Sequence, residues 1–238
     1  MFDYIRWRGD LSFSAAPFCE IDALILSELA YVPAGDILSE TGSMTLGELS
    51  ERFREEDVPE KVRIISFEDD CRLLRAVAAS RRFRDASAGR LVNIIRPEED
   101  LQFSAITFAL PDSTLFTAFS GTDGTVAGWK EDFTLSYLEK TAGQGCAEAY
   151  VNTALAGSGT PIRLGGHSKG GNLAVYAAAF CDEQIRSRIT EVYAFDAPGF
   201  KEETARDERF RAVLPIVRSY IPEGSIVGML LSGSEMKH

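Results

Sequence analysis

Five consecutive residues, Gly166-His167-Ser168-Lys169-Gly170, have the types and spacing of a site for acyl transfer. A serine hydroxyl attacks a carbonyl efficiently only when it is held on an exposed turn, beside backbone N–H groups that can receive the developing oxyanion. The G-x-S-x-G spacing serves that need. Glycines two residues before and two after the serine let a strand and a helix approach closely enough to strain the turn between them. The flanks agree, because a short apolar run begins at Ile162 and nearly unbroken helix formers extend from Asn172 to Phe180. Strand, sharp turn and buried helix are predicted, with the helix's free N–H groups and positive dipole end beside Ser168.

Such a serine requires a base, and a carboxylate to orient it. Only two histidines occur in the chain, His167 and His238. His167 directly precedes the serine, so its side chain is predicted to point away from the serine's side and to pack or hydrogen-bond locally. His238 is the terminal residue. The expectation is therefore that the strand and loop carrying the base lie beyond this sequence; delivery of His238 by the tail is the alternative. Two acids follow the predicted helix. Asp196 ends the first strand after it and Glu223 the second, and Asp196 is favoured because Pro198 and Gly199 behind it turn its carboxylate toward the serine's edge. A turn-capping role is its alternative. Upstream, Ser120-Gly121-Thr122-Asp123-Gly124 follows a strand-like run, and the N–H and hydroxyl of Thr122 would form half of an oxyanion hole, a plain turn being the competing reading.

The rest of the chain must position these groups. Ile106–Leu110 and Leu115–Phe119 flank Pro111-Asp112-Ser113-Thr114, a β-hairpin with turn residues in place, and Leu91–Ile95 is a strand candidate. Helices are expected from about Ala127 to Leu138 and from about Gln144 to Leu155 before the Ser168 turn. After it come a strand at Glu191–Phe195, a solvated helical stretch from Lys201 to Arg211, a strand at Leu214–Ile221 and a last apolar run at Ile226–Leu231. Residues 1–19 read as irregular or short extended structure. From Glu20 to Val32 the apolar residues fall near helical spacing, and only Glu28 breaks that face. Thr45 with Glu48 forms a capping box for a helix to about Glu55, and the acidic run there reads as a solvated end. A further helix starts at Ser66 with Asp69 and reaches about Phe83, and Arg81, Arg82 and Arg84 read as a basic helix end facing its own dipole. The alternation of strands and helices predicts an α/β fold, a mostly parallel sheet with helices on both faces.

Composition bounds the function. A chain of 238 residues with 45% hydrophobic and 26% charged residues fits one α/β domain, mainly helical over 1–90 and carrying the sheet core over 91–238. The net charge of −11 argues against nucleic acid and anionic membrane surfaces as partners. Cys19, Cys71, Cys146 and Cys181 stand far apart with no C-x-x-C pair, and read as reduced buried thiols rather than a disulfide frame or zinc site. A cytoplasmic location is expected, with no transmembrane segment and no cofactor or metal. Oligomeric state is not readable from these features.

Three stretches, FSGTDGTVAGWKEDF from Phe119, GGHSKGGNLAVYAA from Gly165, and the strand ends AFDAPGF and SYIPEGSIVGML, together resemble the lipase class 3 group of α/β-hydrolases, in particular a lipase-like branch of it. The resemblance covers the chain from about Leu91 onward. It implies an α/β-hydrolase fold, Ser168 as nucleophile, Thr122 as oxyanion-hole residue together with the backbone of Lys169, and Trp129 and Asp132 as structural anchors. Its implied activity is that of a serine hydrolase of lipase or esterase type on an ester or lipid-like small molecule. Two positions depart from that group. Lys169 stands where those lipases have leucine, which would alter what approaches the serine, and Ser225 stands near an expected aspartate. These departures, with the scarcity of histidine, keep open a hydrolase-fold protein that binds or assembles without catalysis. Transfer of the acyl group to an acceptor other than water would use the same turn.

Overall fold

Among the described residues seven strands form one sheet in the order in which the chain makes them: β1 (Ser43–Thr45), β2 (Ser87–Arg96), β3 (Leu101–Ala109), β4 (Leu115–Phe119), β5 (Ile162–His167), β6 (Ile189–Phe195) and β7 (Val217–Tyr220). This architecture is that of a computed structural model, which describes residues 1–60, 66–99, 101–121, 140–157, 159–223 and 225. The sheet is mixed. Pairs from β1 to β4 are antiparallel, whereas β4 to β7 are parallel and carry the Ser168 turn.

The β3–β4 hairpin follows its sequence signal, with Asp112 Oδ1 accepting the Thr114 N–H at 3.1 Å inside the turn. Both β2 and β3 extend beyond the runs Leu91–Ile95 and Ile106–Leu110, because each pairs with the other along most of its length. The run Leu214–Ile221 is shorter as a strand than expected: Pro215 falls in a 3-10 turn at Leu214–Ile216, and pairing starts at Val217.

Consecutive strand order fixes where the helices lie. Parallel strands laid side by side in one direction, each joined by a right-handed crossover, send all their connecting helices to one face. On that face α6 (Ala142–Ala154), α7 (Lys169–Phe180) and α10 (Glu208–Val213) pack on Ile162, Leu164, Val192 and Ala194. α7 is buried along nearly its whole length and small enough at Ala174, Ala177 and Ala178 to sit close to the sheet. Between α7 and β6 lies α8 (Glu183–Arg186), and α9 (Glu202–Arg206) precedes α10.

The opposite face needs a separate cover, and the N-terminal residues supply it. Here α1 (Phe2–Arg8), α2 (Glu20–Glu28), α3 (Gly35–Thr41), α4 (Leu46–Arg52) and α5 (Phe67–Ala79) bury Ala23, Ile25, Leu26 and Leu74 with Phe116, Ala118, Tyr193 and Phe195 of the strands. Period-two alternation along β6 divides the two layers: Val192 and Ala194 face α7, whereas Tyr193 and Phe195 face the N-terminal helices. The capping box at the start of α4 is present, Thr45 Oγ1 accepting the Glu48 N–H at 3.2 Å and Glu48 Oε2 the Thr45 N–H at 2.9 Å.

Two expectations are corrected in this layer. Residues 2–8 form helix α1 rather than irregular or extended structure, capped by an N–H from Gly9 to the Ile5 carbonyl at 2.8 Å. Arg82 is not a basic helix end. α5 stops at Ala79, and the Arg82 side chain is 1% exposed, with Nε donating to Asp22 Oδ1 at 2.6 Å and further N–H groups donating to the carbonyls of Leu11, Ala16 and Pro17. Its guanidinium also lies 4.2 Å from the Phe13 ring centre. All four cysteines are free thiols, Cys71 and Cys181 buried and Cys19 and Cys146 half-buried. Among the described residues no helix is long and apolar enough to cross a membrane.

Candidate active site

The C-terminal ends of the parallel strands meet at one edge. Pairing of β4 with β5 ends at Phe119 and Gly166, and pairing of β5 with β6 at His167 and Phe195. Ser168 therefore leaves the sheet beside Gly121 and Asp196, in the crevice where open parallel sheets place ligand sites.

Ser168 is the N-cap of α7 and has φ 54° and ψ −130°, a conformation disfavoured for any residue with a side chain. Two backbone contacts hold it: its N–H donates to the Phe195 carbonyl at 2.8 Å, and its carbonyl accepts the Gly171 N–H at 3.0 Å. Its side chain is half-buried and caps none of the helix's own N–H groups. The glycine at position 170 is required by contact. A Cβ there would lie 2.0 Å from the Phe119 carbonyl oxygen, so the close passage of α7 over β4 excludes any larger residue. The expected strand, strained turn and buried helix are all present.

Lys169 departs from its expected influence. Its ammonium does not stand in the approach to Ser168 but is 1% exposed, reaching under β3 to donate from Nζ to the Gln102 carbonyl at 2.9 Å. Because Ala105 pairs with Phe119, Gln102 lies in the part of β3 that runs past the end of β4. The side chain thus ties this overhang to the helix, while the backbone N–H of Lys169 belongs to the first turn of α7. Lys169→Met is expected to lower stability by about 1–3 kcal/mol through the buried acceptor it leaves behind, measured by urea unfolding; an unchanged midpoint would contradict the tie.

Asp196 and Glu223 are separated by their surroundings. Asp196 is half-buried at φ 48°, its N–H donating to the Tyr220 carbonyl at 2.7 Å, and its Oδ1 accepts the hydroxyl of Ser225. Ser225, near which the resemblance implies an aspartate, thus makes contact with the nearby acid. Glu223 is exposed in the turn after β7. The loop following Asp196 is fixed by Asn172, buried on α7, whose Nδ2 donates to the carbonyls of Pro198 and Gly199 at 3.1 and 3.0 Å and whose Oδ1 accepts from Gln144 Nε2 at 2.9 Å. Thr122, Trp129 and Asp132, the predicted helix about Ala127–Leu138, the run Ile226–Leu231 and His238 lie outside the described residues.

His167 turns toward the N-terminal layer. Its Nδ1 lies 3.5 Å from Oε1 of Glu28, at the C-terminal end of α2. Burial holds the Glu28 carboxyl up to about 7, and burial also lowers the His167 pKa against an opposing pull from the Asp196 carboxylate. Both shifts favour neutral forms, so an acid facing an imidazole describes the contact better than an ion pair does. The sequence carried one sign of this residue, since Glu28 alone interrupted an apolar helix face. Nothing in it pointed to Tyr31, whose hydroxyl accepts the Gly121 N–H at 2.7 Å. Among the described residues no group of three or more His, Cys, Asp or Glu side chains could hold a metal ion.

Sheet, crossovers and strained turn define the class as a lipase-type α/β-hydrolase fold. A fungal lipase solved with an inhibitor, in work on interfacial activation, aligns over 95% of this chain and 72% of its own, with a TM-score of 0.53 and 13% sequence identity. The chain belongs to the Mbeg1-like family, whose sequence profile matches residues 77–237. That span includes Ser168 and Asp196 and leaves out Glu28 and Tyr31. No curated protein sequence matches the chain.

Proposed function

We propose that the chain is a serine hydrolase of lipase or esterase type, similar to the lipase class 3 group and acting on an ester or lipid-like small molecule. One observation carries the reading: the backbone of Ser168, at φ 54° and ψ −130° at the start of a buried helix. Such strain costs about 1–3 kcal/mol and persists where the surroundings enforce it, typically at sites of chemistry. Ser168 Oγ attacks the ester carbonyl, and the N–H of Lys169 receives the oxyanion together with Thr122. Asp196 orients a histidine that takes the serine proton and passes it to the departing alcohol; water then releases the acyl group. Asp196 is preferred to Glu223 for this role because it adjoins Phe195, whose carbonyl holds the Ser168 N–H.

Treatment with a fluorophosphonate, followed by mass mapping, is expected to give one adduct at Ser168, absent in Ser168→Ala. A folded protein without that adduct overturns the proposal. A second reading, a hydrolase-fold protein that binds without catalysis, is favoured by the His167 imidazole being turned to Glu28; the same experiment decides between them.

A further inference from the structure

The β4–β5 ladder stops one rung before the candidate nucleophile, and a side chain from the N-terminal layer occupies the next rung. Register continuing from Phe119 and Gly166 would set the Gly121 N–H against the His167 carbonyl, as in any parallel pair. Instead the Tyr31 hydroxyl stands between them. It accepts the Gly121 N–H at 2.7 Å and lies 3.4 Å from the His167 carbonyl, to which it donates. Gly121 is wedged in place on its other sides as well. A Cβ there would fall 2.4 Å from the Tyr31 oxygen, 2.8 Å from the His167 carbonyl oxygen and 3.3 Å from the Ser168 Cβ.

We infer that Tyr31 is a positioning residue that sets the spacing between Ser168 and Gly121, where the chain has left β4. One hydroxyl, inserted where a direct ladder bond would close, holds the two main chains apart at the width of an oxygen atom. The inference rests on the proposed hydrolase reading, in which Thr122 and Lys169 flank the oxyanion, and it assigns part of that geometry to a segment outside the span matched by the family profile.

Tyr31→Phe keeps the ring and removes the bridging hydroxyl. Displacements of about 1 Å at a reacting centre cost up to about a hundredfold in rate, so the maximal rate of fluorophosphonate labelling at Ser168 is expected to fall about tenfold or more, with the probe's half-saturation constant within about twofold. In the wild type the Gly121 amide should exchange slowly with solvent, like a ladder amide, and at least about tenfold faster in the variant. Fast exchange of Gly121 in the wild type would overturn the inference without any variant. So would a variant that labels at the wild-type maximal rate. A wild-type protein that takes up no probe sinks the hydrolase reading and this inference with it, whereas a labelled wild type with an equally labelled variant sinks this inference alone.

Discussion

Arg82→Leu is expected to lower the unfolding free energy by about 3–5 kcal/mol, the cost of leaving a buried carboxylate without its cation. Asp22 is 0% exposed and receives Nε of Arg82 at 2.6 Å. Its remaining partners, the Tyr4 hydroxyl at 3.0 Å and the Cys19 N–H at 2.9 Å, are neutral and cannot replace a positive charge. The same substitution frees three carbonyls between Leu11 and Pro17 that the guanidinium gathers. Replacing both partners, as in Asp22→Leu with Arg82→Leu, should cost less than Arg82→Leu alone, because no charge is then buried. Urea unfolding of the four proteins as a double-mutant cycle reads this directly. A single-variant loss below about 1 kcal/mol would place the pair among surface ion pairs in its energetics.

Stability is also expected to depend on pH through Glu28 and Asp70. Burial raises Glu28 from 4.5 to about 7 and, with the neighbouring charges of Glu28 and Asp69 adding to it, raises Asp70 from 3.8 to about 6 against a hydrogen bond from Ser66. For an acid whose pKa is raised by folding, the native state holds more protons than the unfolded chain between the two values. The associated stability is therefore complete below the unfolded pKa and is lost as pH climbs through the folded one. For Glu28 that window runs from 4.5 to about 7 and amounts to about 3 kcal/mol. His167, lowered by burial, acts in the opposite sense: its share is lost as pH falls below 6.5. Glu28→Gln isolates the carboxyl. Relative to the variant, the wild type should lose about 3 kcal/mol between pH 4.5 and 7.5, and parallel pH profiles for the two proteins would refute the assignment.

The Ser168 turn and the β3–β4 hairpin were legible because each is specified by neighbours in the chain. Glycines at 166 and 170, helix formers behind them, and Asp112 within a four-residue turn all act over a few residues. The Thr45 and Glu48 cap was legible for the same reason. Arg82 was misread because its partner lies 60 positions away, and a solvated basic end and a buried ion pair look alike in sequence. The fate of Lys169 was hidden in the same manner: only the overhang of β3, set by pairing register, reveals that its ammonium has an acceptor indoors. Residues 2–8 read as irregular because Tyr4 and Ile5 commit to helix through packing on the N-terminal layer, with no strong local signal.

The strand order has a consequence for how the chain reaches this state. On one face, α2 leaves the ribosome well before β5 and β6, which it helps to cover; Tyr31 and His167 are 136 positions apart. At ordinary synthesis rates that delay is about ten seconds. During it α2, with Ala23, Ile25 and Leu26 all at 0% exposure in the finished fold, waits for β5 and β6 and, at first, for β4 as well. Folding from the N-terminus onward therefore begins with a layer whose apolar side waits for its partner, and the Ser168 turn is completed only when the two halves of the chain meet.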